Sequence, residues 1–525
     1  MHLDDSVIWK QVQISCLELA RQNASHQVES LKKLRVGYMQ GTARVLAEQA
    51  NGKQVVVEQA NGKIVELATQ KVLIATGSSP QHVGGAPFDG KRIFDTDSIN
   101  ALDFLPRSVV ITGAGIIAIE YAKIFRQFGA SVTMLVRSTM MDALKRIGLD
   151  TDIARRLISI LKDSGVSVLE GVTAESFEVS AGSRPVVIQL AWKSGEPEPK
   201  EVECDIYLAA TGRSANVQNM GLEDLGCNIE PKVGLTVDKY FQTSVPGIYA
   251  CGDVIGPPSL ASTGVRQAQI AVECMFNEGR SHEDTELNNI PVGIWTTPEI
   301  GTFGLTKEAA SKDGLDAEEG VAPFRSCLRG RVFAPEGLMK LVFAKENGVI
   351  LGVHIIGSDA CELIHYGMDL VRRCISIFDI ISSVFVAVTF HELFKEAALD
   401  GNRRLEYGLE ARTLLMDIAT SFQKASGNVL EGDGLRALFD AIDVNHTGSL
   451  DVENFCAMCQ EMGCNVNRRT VANLVRVADQ SDTGSIEWEE FENMFQVVRD
   501  LSSQQPLLAT MKSGRAPVTS VRLPS

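Results

Sequence analysis

Residues 108–137 constrain the fold of this 525-residue chain more than any other stretch. They begin with the short, apolar and β-branched run Ser108–Thr112, which is typical of a buried parallel strand. A turn with the pattern G-x-G-x-x-A follows, and after it apolar residues recur at helical spacing as far as Phe128. Gly129 stands where a left-handed helix cap is usual, and residues 131–136 form a second apolar run. The stretch therefore predicts strand, glycine-rich turn, helix and strand.

The three small residues of the turn are those that a dinucleotide-binding turn requires. Gly113 permits the tight turn, Gly115 lets the backbone approach a pyrophosphate, and Ala118 keeps the helix close to the strand. The helix N-terminus adds amide donors and the positive end of a dipole. A glycine-rich turn that binds nothing is the alternative, but the flanking strand and helix favour a dinucleotide site.

The end of the second strand bears on the choice between NAD and NADP. An NAD site usually places an acidic residue about 20 residues after the first glycine, where it holds the ribose 2′-hydroxyl. Val136 occupies that place here and is followed by Arg137 and Ser138. Because Arg137 could pair with a 2′-phosphate, the sequence permits NADP(H) and is compatible with use of both dinucleotides. A solvated charge at the strand end is the alternative role for Arg137.

The overall composition excludes several functional classes. A net charge of −16 argues against a nucleic-acid-binding surface. Eleven cysteines without a repeating frame predict reduced thiols, and we expect a cytoplasmic protein, with an organelle as the alternative. No apolar run reaches membrane-spanning length: the longest, residues 375–390, contains Asp379 and predicts a buried element.

Three further buried strands end in small residues, as strands do where a flat or phosphorylated ligand approaches the backbone. Residues 71–80 contain Ala-Thr-Gly, residues 205–213 end in Ala-Thr-Gly-Arg, and residues 248–254 contain Gly-Asp. Each signal is weak alone, but together they surround the central dinucleotide motif.

In this order the motifs resemble those of the two-dinucleotide flavoprotein oxidoreductases, the family of glutathione reductase and dihydrolipoyl dehydrogenase. Within the family the likeness is greatest to the transhydrogenase branch. The resemblance covers residues 8–406. The stretches that carry it are ATGSSP at 75–80, FDTDSI at 94–99, GAGIIAIEYA at 113–122, ATGR at 210–213, YACGDVIGPPSLAS at 249–262, TTPEIGTFGLT at 296–306 and EAALDGNRRL at 396–405.

The resemblance implies an α/β fold with FAD- and NAD(P)-binding, three-layer Rossmann-like domains and an α+β dimerisation domain, and it implies a homodimer. It also implies roles for the matched cofactor-binding residues. These are Asp253 with Gly252 at the ribityl chain of FAD, Thr76 and Gly77 by its adenosine part, Gly113, Gly115 and Ala118 at the NAD(P) pyrophosphate, and Glu120 and Gly212 at the nicotinamide-side pocket. It assigns no catalytic residue.

The chain departs from the family at two places. The family opens with its own FAD-binding strand, G-x-G-x-x-G turn and helix, but Met1 aligns beyond them, so half of the implied FAD site is missing from this sequence. An internal methionine taken as the start is the simpler interpretation, and a degenerate relative is the alternative. The second departure is at residues 387–392, where disulfide reductases carry His-Pro-Thr-x-x-Glu and this chain has Ala-Val-Thr-Phe-His-Glu.

These departures bear on the chemistry. The missing histidine is the acid/base that serves a dithiol, and His391 comes four places late, where we expect a polar helix residue. Cys456, Cys459 and Cys464 lack the flanking residues of the family's dithiol, so core or surface thiols are favoured over a redox or zinc site. Hydride exchange at a flavin needs neither group, which favours a transhydrogenase.

After Leu405 the sequence becomes helical and acidic, and two loops fit the calcium-binding pattern of EF-hands. In the second loop, Gly484 supplies the sharp turn and Glu487 acts through water. Its predicted calcium ligands are Asp479, Ser481, Thr483, Ser485 and Glu490, and those of the first loop are Asp443, Asn445, Thr447 and Ser449. Position 12 of the first loop is Asn454, so we expect a much weaker site there. A pair that keeps the fold without metal is the alternative.

The predicted organisation has six parts. They are a remnant of the FAD-binding domain at 1–105, an NAD(P)-binding domain at 106–240, a segment returning to the FAD domain at 241–285, a dimerisation domain at 286–406, an all-α EF-hand pair at 410–500 and a disordered tail at 501–525.

The sequence thus predicts a flavin-dependent oxidoreductase with FAD, NAD(P) and Ca²⁺ as cofactors, which transfers hydride between NADPH and NAD⁺ and is regulated by Ca²⁺. Two alternatives stay open. One is a Ca²⁺-responsive NAD(P)-binding protein without enzymatic activity, and the other is an enzyme like dihydrolipoyl dehydrogenase.

Overall fold

The computed structural model describes residues 5–49, 52–82, 85–179, 185–193, 199–276, 290–405, 418, 433–461, 468–479 and 483–492. Within these ranges, no helix is long and apolar enough to cross a membrane. The predicted tail at 501–525 lies outside the described residues, as do nearly all of residues 406–432.

The chain begins with a long helix and a three-stranded antiparallel sheet. Helix α1 (Asp5–Lys33) is followed by β1 (Thr42–Gln49), β2 (Gly52–Glu58) and β3 (Ile64–Thr69), and then by the short strands β4 (Val72–Ile74) and β5 (Ser78–Pro80). Trp9 connects α1 to the next domain by a hydrogen bond and an aromatic contact. Its indole Nε1–H donates to the Leu102 carbonyl at 3.2 Å, and its ring lies edge-on to Phe128 with 5.3 Å between centroids.

A five-stranded parallel sheet with the order β6-β13-β7-β8-β9 forms the centre of the predicted NAD(P)-binding domain. The elements in chain order are β6 (Ile93–Asp95), β7 (Ser108–Thr112), α2 (Ile116–Gln127), β8 (Ser131–Val136), α3 (Met140–Arg146), α4 (Thr151–Asp163), β9 (Ser167–Glu170), β10 (Val172–Glu178), β11 (Val186–Trp192), β12 (Glu201–Cys204) and β13 (Ile206–Ala209). The strand, helix and strand predicted over residues 108–137 are therefore confirmed.

The two faces of this sheet are covered by different layers. Val109 and Ile111 of β7 belong to one core with the helices, whereas Val110 belongs to a second core with the antiparallel sheet β10-β11-β12. Alternate residues of a strand point to opposite faces, so a fully apolar strand is required between two covered faces. The three-layer arrangement implied by the resemblance is confirmed.

The chain then returns to the first part of the fold. The elements are β14 (Arg213–Ala215), β15 (Ile229–Glu230), β16 (Gly234–Leu235), β17 (Ile248–Ala250), a 3₁₀ turn (Gly252–Ile255) and α5 (Ala261–Phe276). Strand β17 pairs in parallel with β4, and β14 pairs antiparallel with β5. These pairings bring the three small strand ends predicted from the sequence to one part of the fold.

The next region is an antiparallel sheet with the order β18-β19-β22-β21-β20, packed against helices. Its elements are β18 (Val292–Ile294), β19 (Glu299–Gly304), α6 (Lys307–Lys312), β20 (Ala317–Pro323), α7 (Leu328–Phe333), β21 (Leu338–Ala344), β22 (Ile350–Gly357), α8 (Ala360–Arg372), α9 (Ile377–Ser382) and α10, residues 392–405. This is the α+β architecture expected of the dimerisation domain.

The prediction of one buried element over residues 375–390 is wrong for its second half. Helix α9 buries Ile377 and Ile380, but Val384 is 96% exposed and Val386 is 77% exposed. The chain has no regular structure between α9 and α10, so the apolar run is shared between a packed helix and a surface connection.

The described part of the C-terminal region has its own core, built around Phe439, Phe455 and Phe491. Its elements are α11 (Asp433–Ile442), β23 (Ser449–Leu450), α12 (Val452–Glu461), α13 (Arg468–Ala478), β24 (Ile486–Glu487) and α14, residues 488–492. Leu450 and Ile486 pair across the two short strands. This is the helical, paired-loop architecture predicted for two EF-hands.

Candidate dinucleotide and calcium sites

The turn after β7 has the geometry that requires glycine at its first position. Gly113 has φ +135°, and a Cβ added there would lie 2.2 Å from the Ala210 carbonyl oxygen. Ala118 is fully buried, and its Cβ would lie 3.4 Å from the same added atom. The backbone of β7 and the residue after β13 therefore approach too closely for any side chain at Gly113.

The second glycine meets a different condition. Gly115 is the N-cap of α2 and offers no capping side chain, and a Cβ added there would meet nothing within 4 Å. The protein itself does not exclude a side chain at Gly115, but a pyrophosphate lying on the first turn of α2 would. The residues of this turn thus fit the phosphate part of a dinucleotide.

A second arginine, which the sequence does not predict as a site residue, lies near the end of β8. Arg137 is exposed at the end of β8, where Val136 is buried. Arg146, in the last turn of α3, donates from its guanidinium to Ser138 Oγ at 2.9 Å. A second arginine therefore stands beside the predicted one. The only sequence signal for Arg146 is that it is a basic residue in the last turn of a short helix.

A hydrogen-bonded network connects the predicted FAD residue Asp253 to β5 and β14. Ser78 Oγ donates to Asp253 Oδ2 at 2.6 Å, and Arg213 Nε donates to Ser78 Oγ at 2.8 Å. Arg213 also forms an ion pair with Asp97 at 2.8 Å. Ser78 and Arg213 lie within the matched motifs, but the sequence does not identify them as site residues, because their partners are far apart in the chain.

Two glycines beside this network present bare backbone. Gly77 has φ +70° and Gly252 has φ +75°, and a Cβ added at either would meet nothing within 4 Å. Thr76 Oγ1 donates to the Asn216 carbonyl at 2.7 Å, which holds the loop after β4 against the residue after β14. Open glycine backbone next to the Asp253 carboxylate fits one side of a flavin nucleotide.

The two residues expected at the nicotinamide-side pocket contact different neighbours. Glu120 on α2 accepts a hydrogen bond from the Trp295 amide at 2.9 Å and so joins α2 to the residue after β18. Gly212 has φ +129°, and a Cβ added there would lie 3.3 Å from Gln81 Oε1. Glu120 therefore has a contact across two domains.

The second EF-hand loop is folded about its own carboxylates. Asp479 accepts hydrogen bonds from the amides of Thr483 at 3.0 Å and Gly484 at 2.6 Å, and Glu490 Oε2 accepts from the Glu487 amide at 3.0 Å. Gly484 has φ +84°, as the sharp turn requires. The Ser485 carbonyl accepts from Thr483 Oγ1 at 3.0 Å, and Ser481 lies outside the described residues. These oxygen donors fit a hard cation such as Ca²⁺.

The first loop brings its predicted ligands together in a similar way. Asp443 accepts from the amides of Thr447 at 3.0 Å and Gly448 at 2.8 Å. Thr447 Oγ1 lies 3.0 Å from Asn445 Oδ1 and 3.1 Å from the Ser449 carbonyl oxygen, and its single proton can be donated to either.

Comparison with known families decides the assignment. The model of the pyridine nucleotide-disulphide oxidoreductases matches residues 7–273, and that of their dimerisation domain matches residues 290–398. The chain belongs to this family. An EF-hand domain pair matches residues 433–496. The protein is therefore a flavin-dependent NAD(P) oxidoreductase with a calcium-binding EF-hand pair, which confirms the predicted fold class and cofactors.

The relatives of this oxidoreductase include bacterial transhydrogenases. It is 35% identical over 331 residues to the soluble pyridine nucleotide transhydrogenase of Mycobacterium tuberculosis (strain H37Ra), which covers 63% of this chain and 67% of that protein. It is 34% identical over 347 residues to the enzyme of the same name from Colwellia psychrerythraea, covering 65% of this chain and 71% of that protein.

Solved structures show the same fold. LpdA from Mycobacterium tuberculosis superposes with a TM-score of 0.67 at 24% identity, covering 76% of this chain and 84% of that chain. The HOCl-induced flavoprotein disulfide reductase RclA from Escherichia coli superposes with a TM-score of 0.64 at 23% identity, covering 74% and 85%.

In this oxidoreductase the stretch that replaces His-Pro-Thr-x-x-Glu has a structural role. The Thr389 amide donates to Glu392 Oε2 at 3.2 Å, just before α10 begins. His391 lies in the turn before the helix rather than in it, and its ring centroid is 5.6 Å from that of Tyr366. Thr389 and Glu392 thus fix the start of α10.

The cysteines follow the sequence expectation as far as they are described. Cys456 and Cys459 lie on α12 and form no disulfide, with Cys459 buried in the EF-hand core, and Cys464 lies outside the described residues. Burial raises the pKa of the Cys456 thiol, with the charge of Glu453 adding to the effect. A higher pKa leaves less thiolate, which disfavours redox chemistry.

Proposed function

We propose that this oxidoreductase exchanges hydride between NADPH and NAD⁺, as a transhydrogenase. The observation that carries the proposal is the meeting of the two nucleotide surfaces at residues 210–213. The Ala210 carbonyl lies against Gly113 of the NAD(P) turn, while Arg213 bonds to Ser78, which bonds to Asp253. A nicotinamide and a flavin bound at these surfaces would be neighbours.

FAD, when bound, supplies the group that accepts and returns the hydride. The protein's own residues bind and orient. The first-turn amides of α2 would hold the NAD(P) pyrophosphate beside Gly115. Arg213 holds Ser78 in place, and Ser78 fixes one oxygen of Asp253, leaving the other oxygen to receive a ribityl hydroxyl.

The relatives support this activity over a disulfide reductase. The two relatives of 34–35% identity compared above are named soluble pyridine nucleotide transhydrogenases, whereas the disulfide reductase RclA, at 23% identity, shares the fold alone. The stretch before α10 carries Ala387 and Val388 where a disulfide reductase has His and Pro, and the retained Thr389 and Glu392 serve the helix start. A reaction that passes hydride between nicotinamide and flavin does not use a dithiol or its acid/base.

Arg137 and Arg146 support NADP(H) as one of the two substrates. A 2′-phosphate at the end of β8 would meet the exposed Arg137 and the hydroxyl of Ser138, to which Arg146 donates. Arginine binds phosphate oxygens through charge-assisted and bidentate hydrogen bonds. We therefore propose that these residues distinguish NADP(H) from NAD(H).

The dimerisation domain and the EF-hands complete the proposal. A homodimer would form through the region matched at residues 290–398, and Ca²⁺ bound by the EF-hand pair would regulate turnover. The covalent linkage of the two modules supports this regulation. Equal turnover and equal oligomeric state with Ca²⁺ and with a chelator would refute it.

The deciding experiment starts from the visible absorbance spectrum of the purified 525-residue chain. We expect a flavin band, and transfer of hydride from NADPH to the NAD⁺ analogue thio-NAD⁺, followed by the absorbance of its reduced form. Asp253→Asn should weaken flavin retention, whereas Asp224→Asn, at an acidic residue outside the network, should not. A chain that stays folded but neither retains added FAD nor transfers hydride would favour the nonenzymatic, NAD(P)-binding alternative.

A further inference from the structure

The first EF-hand loop carries a hydrogen bond where a calcium-binding loop has its bidentate carboxylate. Asn454, at position 12, is only 3% exposed. Its Nδ2 donates to Oδ1 of Asn445, at position 3, over 3.0 Å. Its Oδ1 accepts from the amide of Asp451, at position 9, over 2.9 Å. Both ends of the side-chain amide are thus used inside the loop.

The second loop shows what this arrangement replaces. There Oε2 of Glu490, at position 12, accepts from the amide of Glu487, at position 9, over 3.0 Å. The bond from position 9 to position 12 is therefore the same in both loops. They differ in the other atom of the side chain at position 12, which is a carboxylate oxygen in Glu490 and an NH₂ group in Asn454.

Position 12 therefore presents partial positive charge in the first loop and negative charge in the second. In an EF-hand the cation joins oxygens at the start of the loop to the carboxylate at position 12. In the first loop the amide of Asn454 makes this connection directly, by donating to the oxygen at position 3. The NH₂ group of Asn454 therefore occupies the place of the cation. Because it carries partial positive charge, it also repels a cation at that place.

The carboxylates of the two loops can also be compared. Both oxygens of Asp443 accept backbone amides of the loop, from Thr447 and Gly448, as both oxygens of Asp479 do in the second loop, so this contact is common to the two. In the first loop Oδ1 of Asp451 accepts from the backbone amide of Asn454 at 2.9 Å. The first loop offers two carboxylates at its ligand positions, Asp443 and Asp451. The second offers three, Asp479, Glu487 and Glu490. Fewer charges and no carboxylate at position 12 lower affinity for Ca²⁺.

We propose that the bond between Asn454 and Asn445 closes the first EF-hand in place of an ion, so that the chain binds one Ca²⁺, at the second loop. The first hand then has a purely structural role. It holds Leu450 in position to pair with Ile486 of the second loop whether or not calcium is present. Changes caused by Ca²⁺ would arise in the second hand.

Calorimetric titration of the calcium-depleted full chain with Ca²⁺ tests this. We expect a stoichiometry of one for the natural chain and zero for Glu490→Gln. Asn454→Glu should raise the stoichiometry to two, with a new dissociation constant on the order of 10⁻⁶ M. Asn454→Gln has nearly the same size without the charge, and should stay at one.

Several results would overturn the proposal. A stoichiometry of two or zero in the natural chain would do so, as would Glu490→Gln that still binds an ion. A folded Asn454→Glu variant that stays at one would show that Asn454 does not exclude the cation. If Asn454→Glu does not fold, the natural chain and Glu490→Gln decide alone. Ion binding is measured without turnover, so failure here leaves the transhydrogenase proposal intact.

Discussion

Single residues of the turn proposed to bind NAD(P) differ in the reason why they are small, and this difference can be measured. Gly113→Ala would place a Cβ 2.2 Å from a backbone oxygen that cannot move aside, at φ +135°. We expect it to lower the free energy of unfolding by about 2 kcal/mol or more. Gly115→Ala adds a Cβ into open space, so its loss of stability should be limited to the poorer N-cap, about 1 kcal/mol or less, while NADPH binding weakens. Thermal unfolding and quenching of protein fluorescence by NADPH would separate the two effects.

Gly113→Ala and Gly115→Ala should therefore differ in both stability and NADPH binding. Equal losses of stability would contradict the difference in packing between Gly113 and Gly115. Unchanged NADPH binding in a stable Gly115→Ala variant would show that the pyrophosphate does not lie on the first turn of α2.

Val388 has a strained backbone conformation that a substitution can relieve. Val388 has φ +62°, a left-handed conformation that costs a β-branched residue about 1–2 kcal/mol. Val388→Gly should therefore raise the free energy of unfolding by about 1 kcal/mol, after allowing for the entropy that glycine adds to the unfolded chain. Chemical denaturation measures the change. Val386→Gly is the matched control, because Val386 is exposed and has no positive φ, and it should not stabilise.

The sequence predicted residues whose role depends on local geometry and missed those whose role depends on distant partners. Gly113 and Gly484 follow from turns of fixed length, which a motif contains whole. Ser78 could not be assigned because its partner Asp253 is 175 positions away, and pairing of β4 with β17 is needed to bring them together. Arg146 is an exception, since it lies only eight positions from Ser138; a basic residue in the last turn of a short helix carries no sequence signal for this contact.

At the scale of elements, a buried cluster of charges joins α4 of the parallel-sheet region to the antiparallel sheet of the next region. Lys340 on β21 is 3% exposed in its side chain and forms ion pairs with Asp150 and Glu319, each at 3.1 Å, and with Asp152. Burial alone would raise the pKa of Asp152, but the hydrogen bond and charge of Lys340, with Arg155, hold that pKa below its ordinary value. The Lys340 ammonium group therefore bridges the two regions, in addition to the hydrogen bonds from Thr151 to Glu308 and from Arg156 to Glu336.

Removal of that group should destabilise the fold in a pH-dependent way. Lys340→Met leaves buried carboxylates without their partner, and we expect a loss of about 3–5 kcal/mol near pH 7. A lowered carboxyl pKa contributes stability above the unfolded-state pKa of about 4 and loses it as pH falls through the folded-state value. The difference between the two proteins should therefore shrink below pH 4, as followed by chemical denaturation across pH.

The control for this prediction lies next to the same strand. Lys345 pairs with Asp316 at 2.8 Å, but the Asp316 side chain is 74% exposed. Lys345→Met should cost about 1 kcal/mol or less, because exposed ion pairs contribute little. Equal losses for both variants would contradict the argument from burial.

At the scale of the whole molecule, the surface connection between α9 and α10 carries the two most exposed large apolar side chains of residues 290–405. The apolar run was expected inside the protein, but Val384 and Val386 are 96% and 77% exposed. An apolar stretch is buried only if an element or a partner covers it, and the sequence does not tell these cases apart. Exposure within a domain matched to dimerisation favours a second copy of the chain as the cover.

This leads to a prediction for the assembled protein. Val384→Asp would place a charge at the centre of such an interface, and we expect a dimer to become a monomer with unchanged secondary structure. Light scattering after size-exclusion chromatography measures the mass, and circular dichroism checks the fold. Val265→Asp is the control, since Val265 is 61% exposed on α5 and outside the dimerisation domain. A dimer that survives Val384→Asp, or dissociates equally with Val265→Asp, would place the interface elsewhere.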